Sequence, residues 1–143
     1  MPHDGPENGL GRFLAAQDPV IDTVMAELAR GRKETHWMWF VFPQLRGLGR
    51  SERARFYGLA DACEARAYAA HPVLAPRLRA AAELVLSHAG RPAEDIMGGI
   101  DAAKLRSCAT LFAAVDPDAP VFPALLSAFY GGAACARTTE RIG

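Results

Sequence analysis

The sequence predicts a mainly α, single compact domain of about five helices, and three observations carry that expectation. Apolar residues recur at steps of three and four in successive stretches of the chain. Most prolines and glycines fall between those stretches. Half of the 143 residues are hydrophobic and 22% are charged, the balance of a globular chain. A chain of this length buries roughly two-thirds of its unfolded surface, enough for a core without disulfides or metal.

Residues 1–12, with Gly5, Pro6, Gly9 and Gly11, read as a flexible leader to one helical domain over 13–143. Phe13 to Gln17 suits a single helical turn. Asp18-Pro19 resembles an N-cap with proline at the first helical position, and Val20, Ile21, Val24, Met25 and Leu28 follow at helical spacing until Gly31. The aromatic run near 36–43 is short enough to be a buried strand, a loop or a helical turn, and periodicity leaves these open. Ser51 predicts the start of a long helix reaching His71, interrupted only by Gly58, with Phe56, Leu59, Ala60, Cys63, Ala67 and Ala70 on one stripe. Its other face would carry Tyr57, Asp61, Glu64, Tyr68 and His71 as a polar row. Pro72 opens the next helix, with Val73, Leu74, Leu78, Ala81, Leu84 and Val85 inward and Gly90 as its cap. Asp101 is expected to cap a helix bearing Leu105, Cys108, Leu111, Phe112 and Val115. Residues 122–130 form a last helix before Gly131-Gly132, leaving the tail from Cys135 open as ordered or frayed.

Composition narrows function by exclusion. Sixteen basic residues balance sixteen acidic ones, so net charge points to neither nucleic acid nor membrane. Cys63, Cys108 and Cys135 are odd in number and lack CxxC spacing, against a disulfide framework or zinc site and in keeping with a reducing cytoplasm. The first residues lack an apolar signal region, and the longest apolar run, Trp37 to Pro43, is too short to span a bilayer. No metal or cofactor is expected.

Charge is unevenly placed. Residues 30–55 hold seven basic and two acidic side chains, a local +5, and the rest of the chain carries −5. Within that basic stretch, Gln44-Leu-Arg46-Gly47-Leu-Gly49-Arg50-Ser51 sets two glycines and two arginines before a helix start. There free N–H groups and forked guanidinium bonds can hold phosphate or carboxylate. It fits neither the P-loop nor the dinucleotide fingerprint; an ordinary turn capped by Ser51 is the structural alternative. Trp37 or Trp39 can stack on a flat ring, or be core with a satisfied indole. His36 beside them is the candidate general acid or base, with Glu64 as a second catalytic candidate. Lys104, Arg106 and Ser107, near a predicted helix start, complete the candidate ligand contacts; Cys108 reads as inert core.

The blocks His36-Trp-Met-Trp-Phe-Val-Phe-Pro-Gln44, Gly47-Leu-Gly-Arg-Ser51, Glu64-Ala-Arg-Ala-Tyr-Ala-Ala-His-Pro-Val-Leu74 and Lys104-Leu-Arg-Ser-Cys-Ala-Thr-Leu-Phe112 resemble a bacterial family of unknown function, numbered eighteen-ten. The resemblance runs from about Phe13 to the tail and implies a small, mostly helical cytoplasmic protein, with no activity, cofactor or catalytic residue to carry over. This chain departs from the pattern at Ala75 (usually glycine), at Cys108 (usually serine), and at Ala134-Cys135-Ala136, where an aspartate normally precedes Arg-Thr.

The expectation drawn is a protein that binds, or also processes, a phosphate-bearing small molecule of the nucleotide or ADP-ribose kind. Two alternatives remain: an RNA or single-strand binder using the same arginines and aromatics, and a protein-interaction module meeting a partner or a second copy as a homodimer through the Trp-Met-Trp patch or the last helix.

Overall fold

A computed structural model describes residues 9–142. Among the described residues the regular secondary structure is helical apart from one isolated bridge, and the helices number ten rather than five, because several expected segments split. They are α1 Gly11–Gln17, α2 Ile21–Arg30, α3 Met38–Val41, α4 Glu52–Tyr57, α5 Ala62–Ala70, α6 Leu74–Leu86, α7 Ala93–Met97, α8 Gly99–Val115, α9 Val121–Tyr130 and α10 Ala136–Ile142. The long α8 lies at the centre, packed by α5, α7, α9 and α10, and α6 closes the core against α2, α5 and α9. Leu105, Ala109, Leu111 and Phe112 of α8 are fully buried among Phe13, Leu28, Tyr68, Leu74 and Phe122.

Of the expected leader, residues 1–8 lie outside the described residues, whereas Gly11 and Arg12 belong to α1 and Arg12 is buried. That arginine also explains why the Ser51 helix breaks. Its Nε donates to the Phe56 carbonyl at 2.8 Å, and Nη2 donates to the Gly58 carbonyl at 3.0 Å and to Glu64 Oε1 at 3.2 Å. The chain at Gly58 turns outward to supply those carbonyls. Leu59 then bridges to the 44–46 segment, with Leu59 N–H on the Gln44 carbonyl and Arg46 N–H on the Leu59 carbonyl. Gly58 is required by this approach, since a Cβ there would lie 2.6 Å from Arg46 Cα. Asp61 restarts the helix by accepting from Glu64 N–H at 2.9 Å. The continuous polar face therefore does not exist, and Tyr68 is core, its hydroxyl accepting from Gln17 Nε2 at 3.1 Å. Other boundaries shift too: Val20 rather than Asp18 precedes α2, Gly98 rather than Asp101 precedes α8, residues 93–97 form a helix of their own, and the tail is ordered as α10.

After Gly31 the chain is organised by Glu27, a carboxylate only 2% exposed. It accepts from the backbone N–H groups of Glu34 and Thr35 at 2.8 and 3.1 Å, from the Thr35 hydroxyl at 2.6 Å and from the Trp37 indole at 2.9 Å. Burial pushes this carboxyl up, but the hydrogen bonds outweigh it and hold its pKa down at about 2, against an ordinary 4.5. A group lowered on folding stabilises the native state above its unfolded pKa, and that contribution fades as pH falls from about 4.5 toward 2; the shift corresponds to about 3 kcal/mol at neutral pH. Glu27→Gln should lose about 3 kcal/mol in urea denaturation at pH 7, with the gap to wild type narrowing at pH 3. An equal gap at both pH values would contradict the charge-based account.

Candidate functional site

The turn held by Glu27 delivers three residues to one side of the molecule. The backbone N–H of Lys33 donates to the Ile96 carbonyl at 2.8 Å, tying the turn to the end of α7. His36 is left exposed, and the single helical turn of α3 then points Trp37 and Trp39 in different directions. Trp37 is 1% exposed and Met38 equally buried, so Trp37 is core rather than a ligand contact and no Trp-Met-Trp surface patch exists. The 36–43 run is thus neither strand nor loop but a helical turn, as its local i to i−4 bonds from Val41 and Phe42 require.

Trp39 is half-buried and faces a cleft of about 430 Å³ lined by Lys33, His36, Trp39, Asp101, Lys104 and the Met97–Ile100 segment. The far wall is the start of α8. Gly98 holds φ +88°, a left-handed backbone that favours glycine, and no side chain caps the helix after it. The first N–H groups of a 17-residue helix therefore open beside the cleft with their partial positive charge. Asp101, one turn in, receives Lys33 Nζ on Oδ2 at 2.9 Å and faces Lys104 Nζ from Oδ1 at 3.7 Å. Lys33 is 6% exposed in its side chain and also donates to the Thr35 carbonyl at 2.6 Å. Lys104 Nζ and the Arg53 guanidinium both lie over the Trp39 ring, 5.1 and 5.0 Å from its centre. A narrow apolar pit shares Met38, Trp39 and Lys104 with this cleft and adds Gln44, Phe42 and Tyr57.

Of the residues singled out in the sequence, the structure brings His36, Trp39 and Lys104 together, with Gln44 behind them. It separates the rest. Glu64 is committed to Arg12 and to the Ala60 N–H and makes no contact with His36. Ser51 caps α4 by accepting from Ala54 N–H at 3.0 Å, but α4 has only six residues, so the long helix behind the expected anion loop is missing. Gly49 packs under that helix, where a Cβ would meet Ala54 Cβ at 2.6 Å. Gly47 lies under the Arg141 guanidinium, and its carbonyl accepts from Arg137. Arg46 reaches the Gly58 carbonyl, and Arg50 is exposed. Arg106 secures the tail by donating to the Ala133 and Ala134 carbonyls at 2.8 and 3.0 Å. Ser107 is buried, its one hydroxyl hydrogen shared between the Ala103 carbonyl at 3.3 Å and Cys135 Sγ at 3.4 Å, and it does not line the cleft. The pairing of Asp101 with Lys104, readable from their i, i+3 spacing, is present at 3.7 Å; what the sequence did not show is that Lys33 shares the same carboxylate and that the Gly98-Gly99 turn opens the helix start onto the cleft.

A cationic, tryptophan-walled cleft on a helical domain is the class that the geometry defines. A family model described as Protein of unknown function (DUF1810) matches residues 7–142, and the chain belongs to that family. Among solved structures it is similar to the crystal structure of the conserved hypothetical protein Rv1873 from Mycobacterium tuberculosis: 47% identical, TM-score 0.92, with 96% of this chain and 98% of that chain covered. No curated protein matches it. No helix among the described residues is long and apolar enough to cross a membrane.

The two lysines should differ sharply in what they contribute to stability. Asp101→Asn leaves the buried Lys33 ammonium without its charged partner and should cost about 2 kcal/mol. Lys104→Ala removes a longer, more accessible pair and should cost under about 1 kcal/mol. Urea denaturation of both variants at pH 7 checks the order.

Proposed function

We propose that the cleft between the Lys33–Trp39 segment and the start of α8 binds a phosphate-bearing small molecule, of the nucleotide or ADP-ribose kind. One observation carries the reading: Lys33 and Lys104 share the single carboxylate of Asp101 beside an uncapped helix start, so positive charge exceeds negative along this wall of the cleft. An anionic oxygen would take Lys104 and the α8 N–H groups, with Arg53 close by on Trp39. The volume suits a small ligand with an apolar or aromatic portion laid along Trp39, Met97 and Ile100. His36 stands at the cleft as the one imidazole able to exchange a proton with such a ligand, so any processing step would run through it. The free thiols Cys63, Cys108 and Cys135 suit a reducing cytoplasm, the compartment proposed for it.

Calorimetric titration with pyrophosphate, ADP, ADP-ribose and adenosine tests the assignment. The phosphate compounds should bind and adenosine should bind far more weakly. Lys104→Ala should weaken binding about tenfold, the loss of one charge-assisted contact. Asp101→Asn should tighten it several-fold although it destabilises the fold, because the competing carboxylate is gone. Binding of none of the compounds would overturn the assignment. Sequence-independent binding of a short RNA that collapses with salt would replace it with a strand-binding role along the exposed arginines.

A further inference from the structure

A second convergence of chemistry-bearing side chains lies away from the cleft, where α10 begins. Cys135 immediately precedes Ala136–Ile142, and its backbone N–H donates to Thr110 Oγ1 at 2.9 Å. Its sulfur, half-buried, accepts from the Ser107 hydroxyl at 3.4 Å. The Thr138 side chain is fully buried, and its hydroxyl has no hydrogen-bond partner of its own; the group beside it is the Cys135 sulfur. Arg106, next to Ser107 on α8, donates to the Ala133 and Ala134 carbonyls and so fixes the segment that leads into Cys135.

Two hydroxyls thus flank one sulfur. Ser107 reaches it while also meeting the Ala103 carbonyl, and Thr138 is left without a partner; a thiolate, a far stronger acceptor than a neutral thiol, gives the buried Thr138 hydroxyl the partner it lacks. Burial raises the thiol, and the donors, Ser107 first, bring it below its ordinary value. The other cysteines provide contrast: Cys108 is buried in the core with its thiol pushed up by burial, and Cys63 is exposed on α5.

We infer that Cys135 is a reactive thiolate site, held by Ser107 and Thr138, that takes small electrophiles and is oxidised by hydrogen peroxide. In that step the sulfur attacks one peroxide oxygen, and an S–O bond forms as the O–O bond breaks. Hydroxide leaves with the electron pair and is protonated by solvent to water. The sulfur loses two electrons to become sulfenic acid, and the peroxide is reduced.

The test uses the intact chain at pH 7 with limiting iodoacetamide, followed by peptide-level mass spectrometry of all three cysteines. Cys135 should be alkylated about tenfold faster than Cys63, although Cys63 is the more exposed. Ser107→Ala and Thr138→Val should each lower the Cys135 to Cys63 ratio several-fold. Labelling of Cys108 reports any variant that has unfolded, and in that case the wild-type ordering decides alone. In a parallel arm with peroxide and dimedone, the sulfenic adduct should fall on Cys135. Faster labelling of Cys63, a ratio unmoved in folded variants, or no dimedone adduct on Cys135 would overturn the inference.

Discussion

The structure around the cleft depends on one buried carboxylate. Glu27 collects two backbone N–H groups, a hydroxyl and an indole N–H from a stretch of four residues. Without an acceptor there, the Trp37 indole could not enter the core dry, and the chain between α2 and α3 would have no reason to fold back on α7. Everything that lines the near side of the cleft (Lys33, His36 and Trp39) is placed by that turn. A charge is usually costly inside a protein. Here it is tolerated because four donors replace the water it loses.

The elements readable in the sequence were those decided by nearby residues. Gly31 ends α2 in a left-handed conformation, Ser51 caps α4, and Pro43 and the 116–120 stretch fall between helices as expected. What escaped was decided at a distance. Helix spacing runs straight through Gly58, and only Arg12, 46 residues earlier in sequence, reveals why the chain must turn there. The same limit applied to the site. Tryptophan, histidine and lysine marked Trp39, His36 and Lys104 as chemically interesting, but no local pattern pairs Lys33 with Asp101. Conversely, the glycine–arginine loop looked like an anion cradle because its helix was expected to be long. Once α4 ends after six residues, that loop is a packing element covered by the arginines of α10.

Buried polar side chains of α8 do two different jobs. Thr110 bonds the Arg106 carbonyl one turn back and also receives the Cys135 N–H, so a helix otherwise lined with leucine, alanine and phenylalanine acquires a polar edge. Ser107 and Arg106 extend that edge, and together they fix the start of α10 against the central helix. The start and the middle of α8 thus differ in character: glycines and exposed N–H groups at the cleft, hydroxyls against the Cys135 segment midway along.

Lys33 holds the cleft from both of its ends: its backbone N–H is bound to α7 and its ammonium to α8. The width of the opening is therefore set by a covalent span pinned at two points, not by a loop free to swing. Such a frame is preorganised: a guest entering it meets groups already in position and gives up little of the protein's conformational entropy. Recognition there would be fast and shape-selective, with discrimination resting on fit to a fixed outline rather than on closure around whatever arrives.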